Sequence, residues 1–160
     1  MKNTAIRLLS LCALLALPAC QTTPSTPQGV QTARLAMLEE IKAEPIGDYF
    51  IGRRYYKKDY KFWGYVRKPG QPWTTAKLVM MNENQKLAPD REVGNLGSDH
   101  SYEYKLYGSF SGDTVYEPAS NGFYPEFVLK GYELRSASPA PIFKSPGANN
   151  PERRIIGTPY

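Results

Sequence analysis

Residues 102–110 read Tyr-Glu-Tyr-Lys-Leu-Tyr-Gly-Ser-Phe, and they carry the clearest secondary-structure signal in the chain. Aromatic or apolar residues occupy every second position, and mostly polar residues lie between them. Because successive side chains of a β-strand point to opposite faces, this period of two predicts a half-buried strand. The whole chain has twelve Tyr, six Phe and two Trp, residues that favour pleated surfaces. The stretch and the composition together predict a mainly β fold.

A second aromatic stretch, residues 46–68, lies upstream and alternates loosely with basic side chains. It predicts one long strand, in which Gly52 or Gly64 supplies the bend that a curved strand needs. The residues expected on one face are Tyr60, Phe62, Gly64 and Val66. The sequence Lys-Pro-Gly-Gln at 68–71 predicts a turn, since proline presets φ and glycine accepts a positive φ. A second strand is expected at 73–81.

The remaining elements are shorter or less regular. Residues 31–44 predict one helix, because apolar residues recur at intervals of three and four and Pro45 ends it. That stripe consists of Ala33, Met37, Leu38 and Ile41. Residues 114–117 and 126–135 predict two more strands, and the proline-rich residues 136–160 predict an extended tail. This tail is expected to dock through Ile142 and Phe143 or through Ile155 and Ile156.

One helix and five strands with two long connections fit a small, partly open β-barrel. The order of the elements resembles that of OB-type barrels, which are five-stranded Greek-key folds. A small β-sandwich or a β-roll is the alternative fold. Because one fold supports many functions, this resemblance does not assign an activity.

The N-terminus has the organisation of an export signal. Lys2 and Arg7 precede an apolar run of roughly ten residues, which suits a signal peptide and is too short to span a bilayer. The run ends in Leu17-Pro18-Ala19-Cys20. These residues resemble the lipobox of bacterial lipoprotein precursors. The resemblance implies cleavage before Cys20 and attachment of lipid to its thiol; an ordinary secretory signal is the alternative.

The resemblance also implies a location and a domain organisation. Gln21, rather than Asp, follows the cysteine, which favours the periplasmic face of the outer membrane over the inner membrane; the cell surface is a further alternative. Residues 1–19 are then the signal peptide, 20–30 a flexible linker, 31–135 one globular domain and 136–160 the tail. Multiple acyl chains on Cys20 would anchor the protein stably.

Charge and cysteine usage restrict the possible functions. The precursor carries +5, and loss of Lys2 and Arg7 lowers this to +3, so no nucleic-acid partner is expected. Cys12 leaves with the signal peptide and Cys20 is acylated, so the mature domain is expected to lack disulfides and cysteine metal ligands. We predict no metal and no cofactor.

No pattern in the sequence points to a catalytic centre. The chain has one histidine, His100, and neither a nucleophile motif nor a phosphate-binding glycine loop. Asp99, His100 and Glu103 could share a site, which leaves a cryptic periplasmic hydrolase or a glycan-binding enzyme as the alternative function. The main prediction is a non-enzymatic protein.

The aromatic and basic stretch is the candidate binding region. Its aromatic residues could fill the core while its basic residues cover the outside, or the same residues could form a contact face for a protein or a glycan. Contact of the basic face with anionic headgroups or cell-wall polymer is a third possibility. The residues predicted to make contacts are Arg53, Arg54, Tyr55, Tyr56, Trp63 and Trp73. The predicted function is thus a lipid-anchored envelope protein that presents a small β domain to a partner.

Overall fold

The computed structural model describes residues 27–160, so the predicted signal peptide and Cys20 lie outside the described residues. The helices are α1 (Pro27–Lys42) and the short α2 (Pro89–Glu92). The strands are β1 (Phe50–Arg54), β2 (Gly64–Arg67), β3 (Lys77–Asn82), β4 (Glu103–Glu117) and β5 (Gly122–Ser136). No helix within residues 27–160 has the length and apolar character that a bilayer crossing requires.

The five strands close into a barrel in the order β1-β2-β3-β5-β4, which confirms the predicted five-stranded barrel. β1, β2 and β3 form an antiparallel meander, and β4 returns through a long connection to pair with β1. This arrangement is a Greek key. β5 forms a hairpin with β4 and closes the barrel by pairing in parallel with β3. The barrel is therefore closed rather than partly open.

Residues 46–68 do not form the single long strand that their pattern predicts. They form two strands, β1 and β2, which pair with each other across the loop 55–63. Val66 faces the barrel interior and Tyr65 faces outward, but Trp63 also lies inside, so the expected alternation fails at the start of β2. The predicted strands at 102–110 and 114–117 are one strand with a bulge, β4, and residues 73–75 form a 3-10 turn before β3.

Glycine allows the barrel walls to approach closely. A Cβ on Gly52 would lie 2.4 Å from a side-chain carbon of Leu106, inside the barrel. A Cβ on Gly64 would lie 2.2 Å from the carbonyl oxygen of Arg53, on the neighbouring strand. Close packing, rather than a bend in one long strand, is what requires glycine at both positions.

The barrel has one apolar cluster inside and one outside. The inner cluster includes Trp63, Val66, Val79, Tyr104, Leu106, Phe127 and Leu129. The outer cluster covers the outward face of β1, β2 and β3, and it includes Met37, Ile41, Ile51, Tyr55, Tyr65, Trp73, Ile142 and Phe143. Helix α1 and the C-terminal tail thus supply a second layer over one side of the barrel.

Both ends of the predicted domain differ from the sequence-based boundaries. α1 begins at Pro27, so residues 27–30, assigned to the flexible linker, are helical. Met37 and Ile41 of its predicted stripe are buried. The tail after β5 docks through Ile142 and Phe143, which are buried, whereas Ile155 and Ile156 are exposed. The tail is therefore part of the outer cluster on the barrel wall.

Candidate functional site

The residues predicted to form a contact face are mostly inside the protein. Arg53, Arg54, Tyr55, Trp63 and Trp73 are all buried, and Tyr56 is half-buried. They also lie in different places, because Trp63 belongs to the inner cluster while Tyr55 and Trp73 belong to the outer one. The structure therefore does not bring these six side chains together as one exposed surface.

Arg54 closes one end of the barrel with buried ion pairs. Its Nη2 lies 2.6 Å from Asp90, its Nε lies 3.3 Å from Asp99, and its Nη1 donates to the carbonyl oxygen of Trp63. The hydroxyl of Tyr104 donates to Asp99 at 3.1 Å. Burial raises the pKa of Asp99, although the charge of Arg54 opposes this shift. These contacts fix the β3–β4 connection to β1 and the barrel interior.

His100 holds the tail against the barrel as a neutral side chain. Its Nδ1 accepts a hydrogen bond from the backbone N–H of Tyr56 at 3.1 Å, so Nε2 carries the proton and donates to the carbonyl oxygen of Asn149 at 2.7 Å. Burial lowers the pKa of His100. Both ring nitrogens are occupied in this arrangement.

Asp99, His100 and Glu103 do not converge on a shared site. Asp99 faces Arg54, His100 bonds to two backbone groups, and Glu103 pairs with Arg53 and Arg135 elsewhere. Among residues 27–160, no three His, Cys, Asp or Glu side chains are grouped so that they could hold a metal ion. The geometry that the hydrolase alternative requires of these three residues is not present.

A cavity of about 230 Å³ lies between α1, the barrel wall and the start of the tail. Three arginines enter it from three strands: Arg53 from β1, Arg67 from β2 and Arg135 from β5. Glu44, just beyond α1, and Glu103 of β4 also line it. The other lining residues are Met37, Glu40, Ile41, Trp73, Ser136, Pro139 and Ala140. This cavity is the candidate site.

Glu44 is the centre of the ion-pair network in the cavity. Arg67 donates to both carboxylate oxygens of Glu44, at 2.6 and 2.7 Å, and Arg135 donates at 2.8 Å. The backbone N–H of Gly70 adds a fourth bond at 2.9 Å. Burial alone would raise the pKa of Glu44, but the hydrogen bonds outweigh it and hold the pKa below its usual value.

Arg53 and Arg67 also lie beside the Trp73 ring. The distances from their guanidinium carbons to the ring centroid are 5.1 and 4.5 Å, within the range of cation–π attraction. Burial lowers the pKa of Arg53; its bond to Glu103 opposes this shift, and the charges of Arg67 and Arg135 add to it. Repulsion among the arginines thus persists despite their carboxylate partners.

A second polar arrangement binds the tail through its backbone. The ammonium of Lys57 donates to the carbonyl oxygens of Ala148, Asn150 and Arg153, at 2.6, 2.7 and 3.1 Å. Burial lowers the pKa of this lysine. The hydroxyls of Tyr55, Tyr60 and Tyr65 contact further carbonyl groups of residues 148–157. The loop 55–63 and the start of β2 therefore hold the tail through its backbone carbonyl groups as well as through its side chains.

The tail covers a face that OB-type barrels commonly use for ligands. Those barrels bind oligonucleotides and oligosaccharides on strands 2 and 3 and the adjoining loops. Here the outward side chains of Tyr65, Leu78 and Met80 on those two strands belong to the cluster that contains Ile142 and Phe143. Part of this face is thus occupied by the chain itself.

An exposed aromatic pair lies at the end of the β4–β5 hairpin. The ring centroids of Tyr116 and Phe123 are 5.1 Å apart, and the side chains oppose each other in the strand register. Tyr116 is 47% exposed and Phe123 is 69% exposed. The sequence pattern singled out neither residue: Phe123 lies within the predicted loop 118–125, and Tyr116 lies in the short predicted strand 114–117.

Comparisons with family models, with curated proteins and with solved structures found no match to this chain.

Proposed function

We propose that this protein is a non-enzymatic, lipid-anchored component of a bacterial envelope that presents its barrel to a protein or cell-wall partner. The observation that carries the proposal is the sequence Leu17-Pro18-Ala19-Cys20 at the end of an apolar segment, followed by the polar residues 21–26 and then a folded domain. Acylation of Cys20 would hold the barrel close to the membrane. The outer membrane, on its periplasmic face, is the proposed location.

The side-chain arrangement supports a binding role rather than a catalytic one. The buried acids Glu44, Asp90 and Asp99 are engaged by arginines, and His100 is engaged by backbone groups on both sides. General acid–base catalysis needs such groups within reach of a substrate. The same contacts instead stabilise the attachment of α1 and the tail to the barrel.

The exposed hairpin pair supports an interface with another macromolecule. Aromatic residues are enriched at protein interfaces and bury much surface for little lost side-chain freedom. Because Tyr116 and Phe123 form an exposed pair at one strand end, they replace the six residues predicted from the sequence as the contact residues of this proposal. Nucleic acid remains an unexpected partner, since the tail occupies part of the usual OB ligand face.

Replacement of Cys20 tests the anchor. Cys20→Ser should move the protein from the membrane fraction to the soluble periplasmic fraction and abolish metabolic labelling with a fatty acid. Cys12→Ser is the matched control, because Cys12 lies within the apolar segment and should leave both properties unchanged. Membrane association of the Cys20→Ser protein with undiminished acyl labelling would overturn the proposal.

A crosslinking experiment tests the contact surface. A photo-reactive amino acid placed at position 123 should yield crosslinks to an envelope protein or to cell-wall material, and the same probe at the exposed Lys144 serves as a control on the tail. Equal crosslinking from both positions would contradict a specific contact at the hairpin.

A further inference from the structure

In the ion-pair network beneath α1, arginines outnumber carboxylates, although a third carboxylate, that of Glu40, also lines the cavity without pairing with them. Arg53, Arg67 and Arg135 face only two carboxylates, those of Glu44 and Glu103. Every oxygen of these two carboxylates already accepts a hydrogen bond or forms an ion pair with an arginine. Each carboxylate oxygen of the network is therefore already engaged by at least one arginine.

Each of the three arginines has an unused donor, but the Nε–H groups of Arg53 and Arg67 are buried, whereas Arg135 is partly exposed. Its Nη1 makes both contacts, at 2.8 Å to Glu44 and 3.0 Å to Glu103. Its Nε and Nη2 have no hydrogen-bond partner among residues 27–160. These two nitrogens form the side edge of the guanidinium, the fork that pairs with carboxylate or phosphate oxygens. The side chain lines the cavity and is 34% exposed, so this edge is accessible to a solute.

The cavity has room and suitable walls for a small organic molecule. Its volume of about 230 Å³ exceeds what a few waters require. Apolar contacts are available from Met37, Trp73, Pro139 and Ala140. Glu40 lies on the exposed rim and forms no ion pair with the three arginines. Its negative charge repels an anion and therefore weakens the expected binding.

We propose that this cavity binds a small oxyanion, either the carboxylate of an organic acid or a phosphate group, on the free edge of Arg135. The negative charge of the bound anion offsets the positive charge of Arg135, and the organic part of the ligand lies against Trp73 and Met37. This site goes beyond the proposed anchoring role, because its formation requires only residues 37–140 and does not depend on acylation of Cys20.

NMR of the full chain tests the site, with the side-chain Nε–H signals of arginine and the indole N–H of Trp73 as probes. Sodium acetate and sodium phosphate are titrated separately at constant ionic strength, with chloride as the compensating anion. Saturable shifts of the Arg135 and Trp73 signals with one anion identify its class, and shifts with both identify a general oxyanion site. The absence of a saturable shift with either anion would overturn the proposal.

Three variants make the result specific to Arg135. Arg135→Gln should abolish saturation at the Trp73 signal, whereas Arg154→Gln, at an exposed arginine that pairs with Asp59, should leave it unchanged. Glu40→Gln should tighten binding about threefold, since it removes one nearby like charge through a high dielectric. If Arg135→Gln does not fold, the Glu40→Gln titration decides: unchanged or weaker binding contradicts the assignment. Loss of acylation with intact anion binding would affect only the proposed function.

Discussion

Replacement of Glu44 by glutamine should destabilise the protein far more than the loss of one surface charge. The glutamine keeps the size of the side chain but removes the charge that accepts from Arg67, Arg135 and the N–H of Gly70. Arg67 would then remain buried without a counter-ion, since its side chain is only 1% exposed. Breaking a buried ion pair from one side costs about 3–5 kcal/mol.

Urea denaturation followed by circular dichroism measures this loss of unfolding free energy. In a thermal melt, a domain of this size loses about 4 °C per kcal/mol, so the melting temperature should fall by roughly 12–20 °C. The denaturant dependence of the unfolding free energy should be unchanged, because the surface exposed on unfolding is the same. Glu39→Gln on α1 is the matched control, and it should cost less than about 0.5 kcal/mol because Glu39 and its partner Lys42 are exposed.

A double-mutant cycle separates the ion pair from other effects of the substitution. Arg67→Met in the Glu44→Gln background should cost about 2 kcal/mol less than it does in the wild-type background, because the unpaired charge is removed. If Glu44→Gln is as mild as Glu39→Gln, or if the two substitutions are additive, the network does not attach α1 to the barrel as we infer.

Three further predictions concern the tail and the barrel wall. Since burial lowers the pKa of His100, the unfolded state binds a proton at this histidine more tightly, and stability should be lost as the pH falls through about 6.5 toward the folded pKa. Urea midpoints measured at neutral and mildly acidic pH should therefore differ less for a His100→Gln variant than for the wild type, and an equal difference would contradict the role of His100. Tyr55→Phe removes the hydroxyl that contacts the carbonyl oxygens of Ala148 and Ile155 and accepts from the N–H of Gly157, so the free energy of unfolding should fall by about 1–3 kcal/mol. The Gly157 amide should also undergo faster hydrogen exchange, and unchanged exchange would show that the hydroxyl does not hold the tail. Gly64→Ala places a Cβ against the backbone of Arg53 and should cost at least about 1–3 kcal/mol in thermal unfolding. Gly131→Ala, also in a strand but with its nearest neighbouring atom 3.6 Å from the added Cβ, tests by comparison whether contact rather than loss of the glycine is responsible.

The strands of the barrel could be predicted because a period-two pattern is visible within a short stretch of sequence and does not depend on distant residues. Alternation in residues 102–110 identified β4, and the number and order of strands were sufficient for a five-stranded barrel. The division of residues 46–68 into two strands was missed because the loop 55–63 contains no turn signal stronger than a single Asp. Its aromatic residues instead contact the tail, and that contact depends on residues some ninety positions later.

The candidate site could not be predicted, because its members come from distant parts of the chain. Glu44 reads as an ordinary charged residue at the end of a helix, and its partners Arg67 and Arg135 are separated from it by 23 and 91 residues. Charged side chains are usually exposed, so the expectation for Arg53, Arg54 and Lys57 was a solvated or contact surface. Their burial became possible only because carboxylates and tail carbonyl groups approach them in the folded protein.

The intact mass of the protein purified from membranes of its native host decides whether the lipid anchor exists. We expect the chain to begin at Cys20 and to carry additional mass from a diacylglyceryl group and an N-linked acyl chain. A chain that begins at another residue, or that begins at Cys20 without any acyl mass, would contradict the lipid anchor and the envelope role that depends on it.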